Sequence, residues 1–204
     1  MAPAGADVTA SALQRAIKRG AQDAGQLERC DMCACTIASR HRHALDTEQA
    51  GLMCLCQPCA MLFERDAASQ GHYRLVPQRR LRLAGLAPSA LGVPVGLAYF
   101  VRDPGGGVVA HYPSPLGSAT WEIDAAAWRS QVTASPPLAG LAPEVEALLV
   151  NTARGAEERW IVPIDDCFRL IALIGREWTG LSGGSRVWPQ IEAFFATLKE
   201  GIHG

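Results

Sequence analysis

No run in this chain approaches the eighteen or more consecutive apolar residues that a membrane-spanning helix needs, although 49% of its residues are hydrophobic. No spanning helix is therefore expected. The opening segment "MAPAGADVTASALQRAIKRGAQDAGQ" lacks the apolar stretch of a secretory signal, because Asp7, Arg15, Lys18 and Arg19 interrupt it, so the protein is expected to be cytoplasmic. Net charge is also nearly absent, at −1. Residues 1–82 carry 11 Lys/Arg and 8 Asp/Glu (11 − 8 = +3), and residues 83–204 carry 8 and 12 (8 − 12 = −4). That balance argues against a nucleic-acid binder, which needs a basic face; the one basic run is "QRRLRL", with Arg79, Arg80 and Arg82. Phosphate-loop chemistry finds no support either, since "DPGGG" has neither the lysine nor the spacing and reads as a turn. His72 and His111 are isolated, Glu157 and Glu158 read as solvated surface acids, and no catalytic residue is assigned.

What the chain has in excess is cysteine, in one place. Six of its seven cysteines fall in "CDMCACTIASRHRHALDTEQAGLMCLCQPC", Cys30 to Cys59, as C-x-x-C-x-C followed by the mirror image C-x-C-x-x-C. In a reducing compartment such a cluster reads as metal or redox chemistry, not as disulfides. Two residues between cysteines is the spacing at which a knuckle turn aims both sulfurs at one point. Cys30, Cys33, Cys56 and Cys59, with 22 residues between the two knuckles, are therefore the expected metal ligands. Four soft thiolates in tetrahedral array suit zinc, or a single iron as in a rubredoxin. An iron–sulfur cluster also takes four cysteines, but the one-residue spacings at Cys35 and Cys54 place sulfurs less favourably. Those two remain either small packing residues or a redox or metal-handover pair. His41 and His43, in "SRHRH", read as exposed loop residues that could replace a cysteine, and Asp46 as a turn or cap residue. Cys167 reads as a buried packing residue.

The 204 residues suffice for one ordinary domain with an appendage or for two small ones. Residues 1–26 are expected to be a partly disordered segment with a short helix at 9–21, residues 27–80 a cysteine-rich metal-binding module, and residues 81–204 an α+β domain. In the last of these, "VGLAYFVRDPGGGVVAHYP" predicts a hairpin of strands 95–102 and 108–112. Helices are expected at 124–132, at 143–150 with Pro143 in its first turn, at 167–178 capped by Asp165 or Asp166, and at 188–199; a buried strand is expected at 159–162. The fold expectation is thus α+β: a small zinc-ribbon or rubredoxin-like module, ending in an apolar plug "CAMLF", packed on a C-terminal domain with a hairpin and several helices.

With "CDMC", "HRHALD", "CLCQPCAMLF", "VPIDDCFRL" and "LSGG" in view, the chain from about Cys30 to Leu198 resembles an uncharacterised, mainly actinobacterial domain family. Genes of that family lie beside those of actinobacterial-type uptake nickel–iron (NiFe) hydrogenases. The resemblance implies a setting, hydrogenase assembly or electron transfer, and a protein partner that is a hydrogenase subunit or maturation factor. It implies no mechanism. The function it suggests is a zinc-holding accessory protein; the alternatives are a rubredoxin-like electron carrier with one iron and a zinc-ribbon module for nucleic acid or protein. One departure stands out: Ala34 occupies a position where this family and rubredoxin-like knuckles tend to have glycine, the residue best suited to positive φ.

Overall fold

The computed structural model describes residues 28–49, 51–64, 71–93, 96–114, 117–178 and 184–201. The helix expected at 9–21 and the disorder around it lie outside these residues. The chain divides into two compact units, Met1–Pro77 and Gln78–Gly204, and combines helices with antiparallel sheets in an α+β fold.

The first unit is organised by a three-stranded antiparallel sheet in the order β2-β1-β3, formed by β1 (Arg42–Asp46), β2 (Gly51–Leu55) and β3 (Tyr73–Leu75). The sequence announces no strand here, because the polar spacer offers few β-branched residues. Asp46 closes the β1–β2 turn: its carboxylate accepts the backbone N–H groups of Glu48 and Gln49 at 3.0 and 2.9 Å, the turn role expected of it. A single helical turn, α1 (Gln57–Met61), follows β2. Among the described residues the buried core is small: Cys30, Ile37, Ala44, Leu55 and Ala60 form one cluster, and Leu45 and Val76 are buried besides. Of the "CAMLF" plug, Phe63 packs against that core and meets Tyr73 edge-on at 6.1 Å, whereas Met61 and Leu62 stay exposed.

The second unit is a six-stranded antiparallel sheet in the order β4-β9-β8-β5-β6-β7. Its strands are β4 (Leu81–Arg82), β5 (Leu97–Arg102), β6 (Val108–Ser114), β7 (Gly117–Glu122), β8 (Glu146–Asn151) and β9 (Glu158–Pro163). The expected hairpin is β5–β6, and its turn depends on Asp103, which accepts the N–H of Gly107 at 3.0 Å. A side chain at Gly107 would collide with that carboxylate. Helix α2 (Ala125–Ala134) begins at Asp124, whose carboxylate caps the N–H groups of Ala126 and Ala127 at 2.9 Å.

Across the middle of the sheet Phe100, Leu148 and Ile161 lie opposite one another on one face, and Tyr99, Leu149 and Trp160 on the other. The first face is covered by Trp128 of α2 with Leu138 and Leu141 beyond it. The second lies under α3 (Ile164–Glu177), which packs on β8 and β9 and against α4 (Val187–Glu200). In α3 the buried residues Ile164, Cys167, Leu170, Ile171 and Ile174 recur at helical spacing, which is why this helix was legible.

Coverage of both faces explains one correction. Residues 143–150 were expected to be a helix, but Glu146–Asn151 is a strand, buried at every position. A short continuous apolar run does not distinguish a doubly covered strand from a buried helix, and here sheet pairing on both sides decides. Two smaller corrections concern acids. Pro163, not Asp165 or Asp166, is the N-cap of α3, and both aspartates sit in its first turn, where the helix dipole favours them. Glu158 is buried and not solvated: it accepts the Trp160 indole N–H at 2.9 Å and pairs with Lys199 at 2.5 Å.

Candidate metal centre

The first knuckle is a tight loop closed by an Arg29–Thr36 bridge, with the Cys30 N–H donating to the Cys35 carbonyl at 2.9 Å and the Ala34 N–H to the Cys30 carbonyl at 2.8 Å. Ala34 adopts φ of 58°, the left-handed conformation that glycine takes freely and other L-residues reach at a cost of roughly 1–2 kcal/mol. The turn therefore forms despite the missing glycine. Asp31 fastens it to the end of β2, donating its N–H to the Cys54 carbonyl at 2.8 Å and accepting the Cys54 N–H on its carboxylate at 2.7 Å. The second knuckle is local: Cys56 caps α1, Pro58 stands in the first turn where no N–H is missed, and the Ala60 N–H returns to the Cys56 carbonyl at 2.9 Å.

These two turns bring the sulfurs of Cys30, Cys33, Cys56 and Cys59 within 4.8 Å of one another. Four thiolates about 2.3 Å from a central ion stand about 3.8 Å apart at the edges of a tetrahedron; the Cys33 and Cys56 sulfurs are 3.7 Å apart. The donor set fits a single tetrahedral ion, zinc or iron, and all four cysteines are free of disulfides. Cys30 is buried, Cys33 exposed, and Cys56 and Cys59 half-buried.

The protonation pattern is that of a thiolate nest. Burial works to raise the Cys30 thiol, but backbone N–H groups of Cys56, Cys33 and Met32 aim at its sulfur and the net result is about 6, so it ionises readily. Cys33 is also lowered, chiefly by the Cys35 N–H. Cys59 is pushed up strongly by the Cys56 sulfur and by burial. Cys35 is raised to about 12, first by the Cys33 sulfur and then by burial and Cys56. Sulfurs crowded together cannot all carry charge unaided, and a cation among them removes that conflict.

Cys35 is exposed and adjoins Cys33 and Cys56 but does not join the mutual group of four. Cys54 lies half-buried on β2, directly opposite His43. The two histidines are not the exposed loop residues expected: His43 is in β1, the His41 side chain just before it is only 7% exposed, and with Cys54 they form a second donor group. That grouping was missed because it depends on strand register, which the spacing of cysteines does not reveal.

The second unit holds the remaining residues singled out. Cys167 is fully buried in α3, its thiol pushed well up by burial, in keeping with a packing role. Each of the three arginines meets an acid: Arg79 clasps the buried Glu146 at 2.6 and 2.9 Å, Arg80 the buried Asp166 at 2.6 and 3.1 Å, and the exposed Arg82 stands 3.9 Å from Glu158. The basic run is thus paired with acids of its own unit. His111 is buried and stacked on Tyr99 at 4.8 Å; burial lowers its pKa to about 4, so it is neutral at pH 7.

Among the described residues no helix is long and apolar enough to cross a membrane. No curated protein and no solved structure matches this chain. A family model does match, over residues 29–202, which span both units, and on that match the chain belongs to a family of unknown function, DUF5947.

Proposed function

We propose that the first unit holds one structural zinc ion in Cys30, Cys33, Cys56 and Cys59, and that the protein is an accessory factor in the assembly or maturation of a NiFe hydrogenase. The observation that carries the metal reading is the convergence of four sulfurs from two knuckles, all within 4.8 Å of one another and with Cys33 and Cys56 at 3.7 Å, close to a tetrahedral edge. Among the described residues the buried cluster beneath them is small, five side chains, so an ion here would add folding energy to a modest core. Zinc is preferred over iron because structural four-cysteine sites most often hold it. The hydrogenase setting rests on the resemblance of "CDMC", "CLCQPCAMLF" and "VPIDDCFRL" to the family described above. In that setting the protein works in the reducing cytoplasm, with a hydrogenase subunit or maturation factor as its partner.

The second reading is electron transfer through one iron in the same thiolates. The exposure of Cys33 favours it, since an electron needs a sulfur close to the surface. A nucleic-acid role has less support, because Arg79, Arg80 and Arg82 pair with Glu146, Asp166 and Glu158.

Elemental analysis with an absorption spectrum of protein purified under reducing conditions separates these readings. A colourless protein with stoichiometric zinc is expected, and a coloured protein with a reversible one-electron change transfers the proposal to iron. Neither metal at stoichiometric level sinks the metal reading. Failure to co-purify with any hydrogenase component counts against the accessory role.

A further inference from the structure

We infer that the first unit carries a second metal site, built from His41, His43 and Cys54, which takes a late first-row divalent ion of the zinc type with one coordination position left open. The ligand atoms of these three residues all lie within 4.8 Å of one another, and none of the three belongs to the four-thiolate group. Their meeting follows from sheet geometry. Cys54 on β2 is the direct cross-strand partner of His43 on β1, and His41 stands two residues before His43, on the same face of an extended chain. The two imidazoles meet edge to face at 4.6 Å.

The state of His41 makes this more than proximity. Its Nδ1 lies 2.9 Å from the Ala38 carbonyl and 3.2 Å from a Glu28 carboxylate oxygen, acceptors that fix the proton on Nδ1. In the neutral ring that leaves a lone pair on Nε2, and this atom is buried with no hydrogen-bond partner. A buried acceptor without a partner is unfavourable unless something else takes the lone pair. A ring held at one nitrogen by a carbonyl or carboxylate, with the other nitrogen presented to a cluster of donors, is how metal-ligating histidines are oriented.

Two imidazoles and one thiolate suit zinc, nickel and copper more than magnesium or calcium. Three protein ligands leave a fourth position for water or an exchangeable ligand, whereas the four-thiolate group is complete. Cys54 and Cys56 flank Leu55 in the chain, so the two donor sets are neighbours yet chemically distinct. The second ion is therefore bound more weakly and exchanges faster.

The test is a zinc titration of the reduced full chain against a competing chelator. Wild type is expected to bind two equivalents, the second at least tenfold weaker; a His41→Asn/His43→Asn double variant and Cys54→Ser each retain the tight equivalent and lose the weak one. The retained tight equivalent also shows that each variant is folded. A second measurement needs no variant: modification of His41 and His43 by diethyl pyrocarbonate, located by peptide mass spectrometry, is expected to fall at least tenfold only on adding the second equivalent. A single equivalent in wild type, two equivalents in the double variant, or labelling indifferent to the second equivalent overturns the inference. Loss of the tight equivalent with the weak one retained counts against the four-thiolate reading alone.

Discussion

The two units of this chain solve the same problem with different means. Among its described residues the first gathers Cys30, Ile37, Ala44, Leu55 and Ala60 in one small buried cluster, with Leu45 and Val76 buried beside it, and two of its strands are joined by little more than an aspartate turn. The second buries fourteen residues in the cluster on one face of its sheet alone, and covers the other with α3, on which α4 packs. Apolar burial grows with the number of residues enclosed, so the second unit has the means to fold on its own core while the first needs another source of free energy. The difference also orders their chemistry. Donor atoms collect in the unit that lacks a large core, and in the other unit the polar groups are consumed in holding the fold.

The comparison breaks most visibly under chelation. Stripping the metal from reduced protein is expected to abolish exchange protection of β1 and β2 amides while leaving β5, β8 and β9 protected, because a structural zinc ion contributes on the order of 10–16 kcal/mol in small modules. Hydrogen exchange followed by mass spectrometry checks this; equal loss in both units, or in neither, contradicts the division.

In the second unit the largest single effect should come from Arg80→Ala, which among the described residues leaves the buried Asp166 with the exposed Arg169 as its ion-pair partner. Breaking a buried pair from one side costs about 3 kcal/mol or more. Urea unfolding of β5–β9 should show the loss, and pairing Arg80→Met with Asp166→Leu should restore part of it. A change below about 0.5 kcal/mol would mean that the pair is not desolvated.

Acid should reach the same unit through His111. Its folded pKa, about 4, lies below the ordinary 6.5, so between these values the unfolded chain binds a proton that the folded chain refuses. Stability from this group is fully present above pH 6.5 and falls as pH drops toward 4, by up to about 3 kcal/mol, at 1.36 kcal/mol per pH unit. His111→Phe should flatten that slope in denaturation curves collected across the range, and an unchanged slope would assign it elsewhere.

The smallest effect has the opposite sign. Ala34→Gly relieves a left-handed alanine in the first knuckle, and after the added entropy of the unfolded chain the net gain should be about 0.5–1 kcal/mol. Chelator competition should register it as severalfold tighter zinc. Weaker binding would show that the knuckle does not hold this conformation in solution.

Legibility followed the range of the interactions. Helices α3 and α4 and the β5–β6 hairpin announced themselves, because helical periodicity and turn chemistry are written within a dozen residues. Strand β8 did not: "EALLVN" acquires its identity only from β5 and β9 on either side. β1 to β3 went unseen for a similar reason, since the polar segment around His41 is extended by pairing and not by propensity.

By itself the sequence determined the two knuckles and hence the grouping of Cys30, Cys33, Cys56 and Cys59, because a C-x-x-C turn orients both its sulfurs locally. Tertiary structure alone decided the rest of the chemistry. Register set Cys54 against His43 and turned His41 inward, and packing joined Arg79 and Arg80 to acids 67 and 86 residues away. Such pairings are selected by long-range burial, which a linear pattern does not encode.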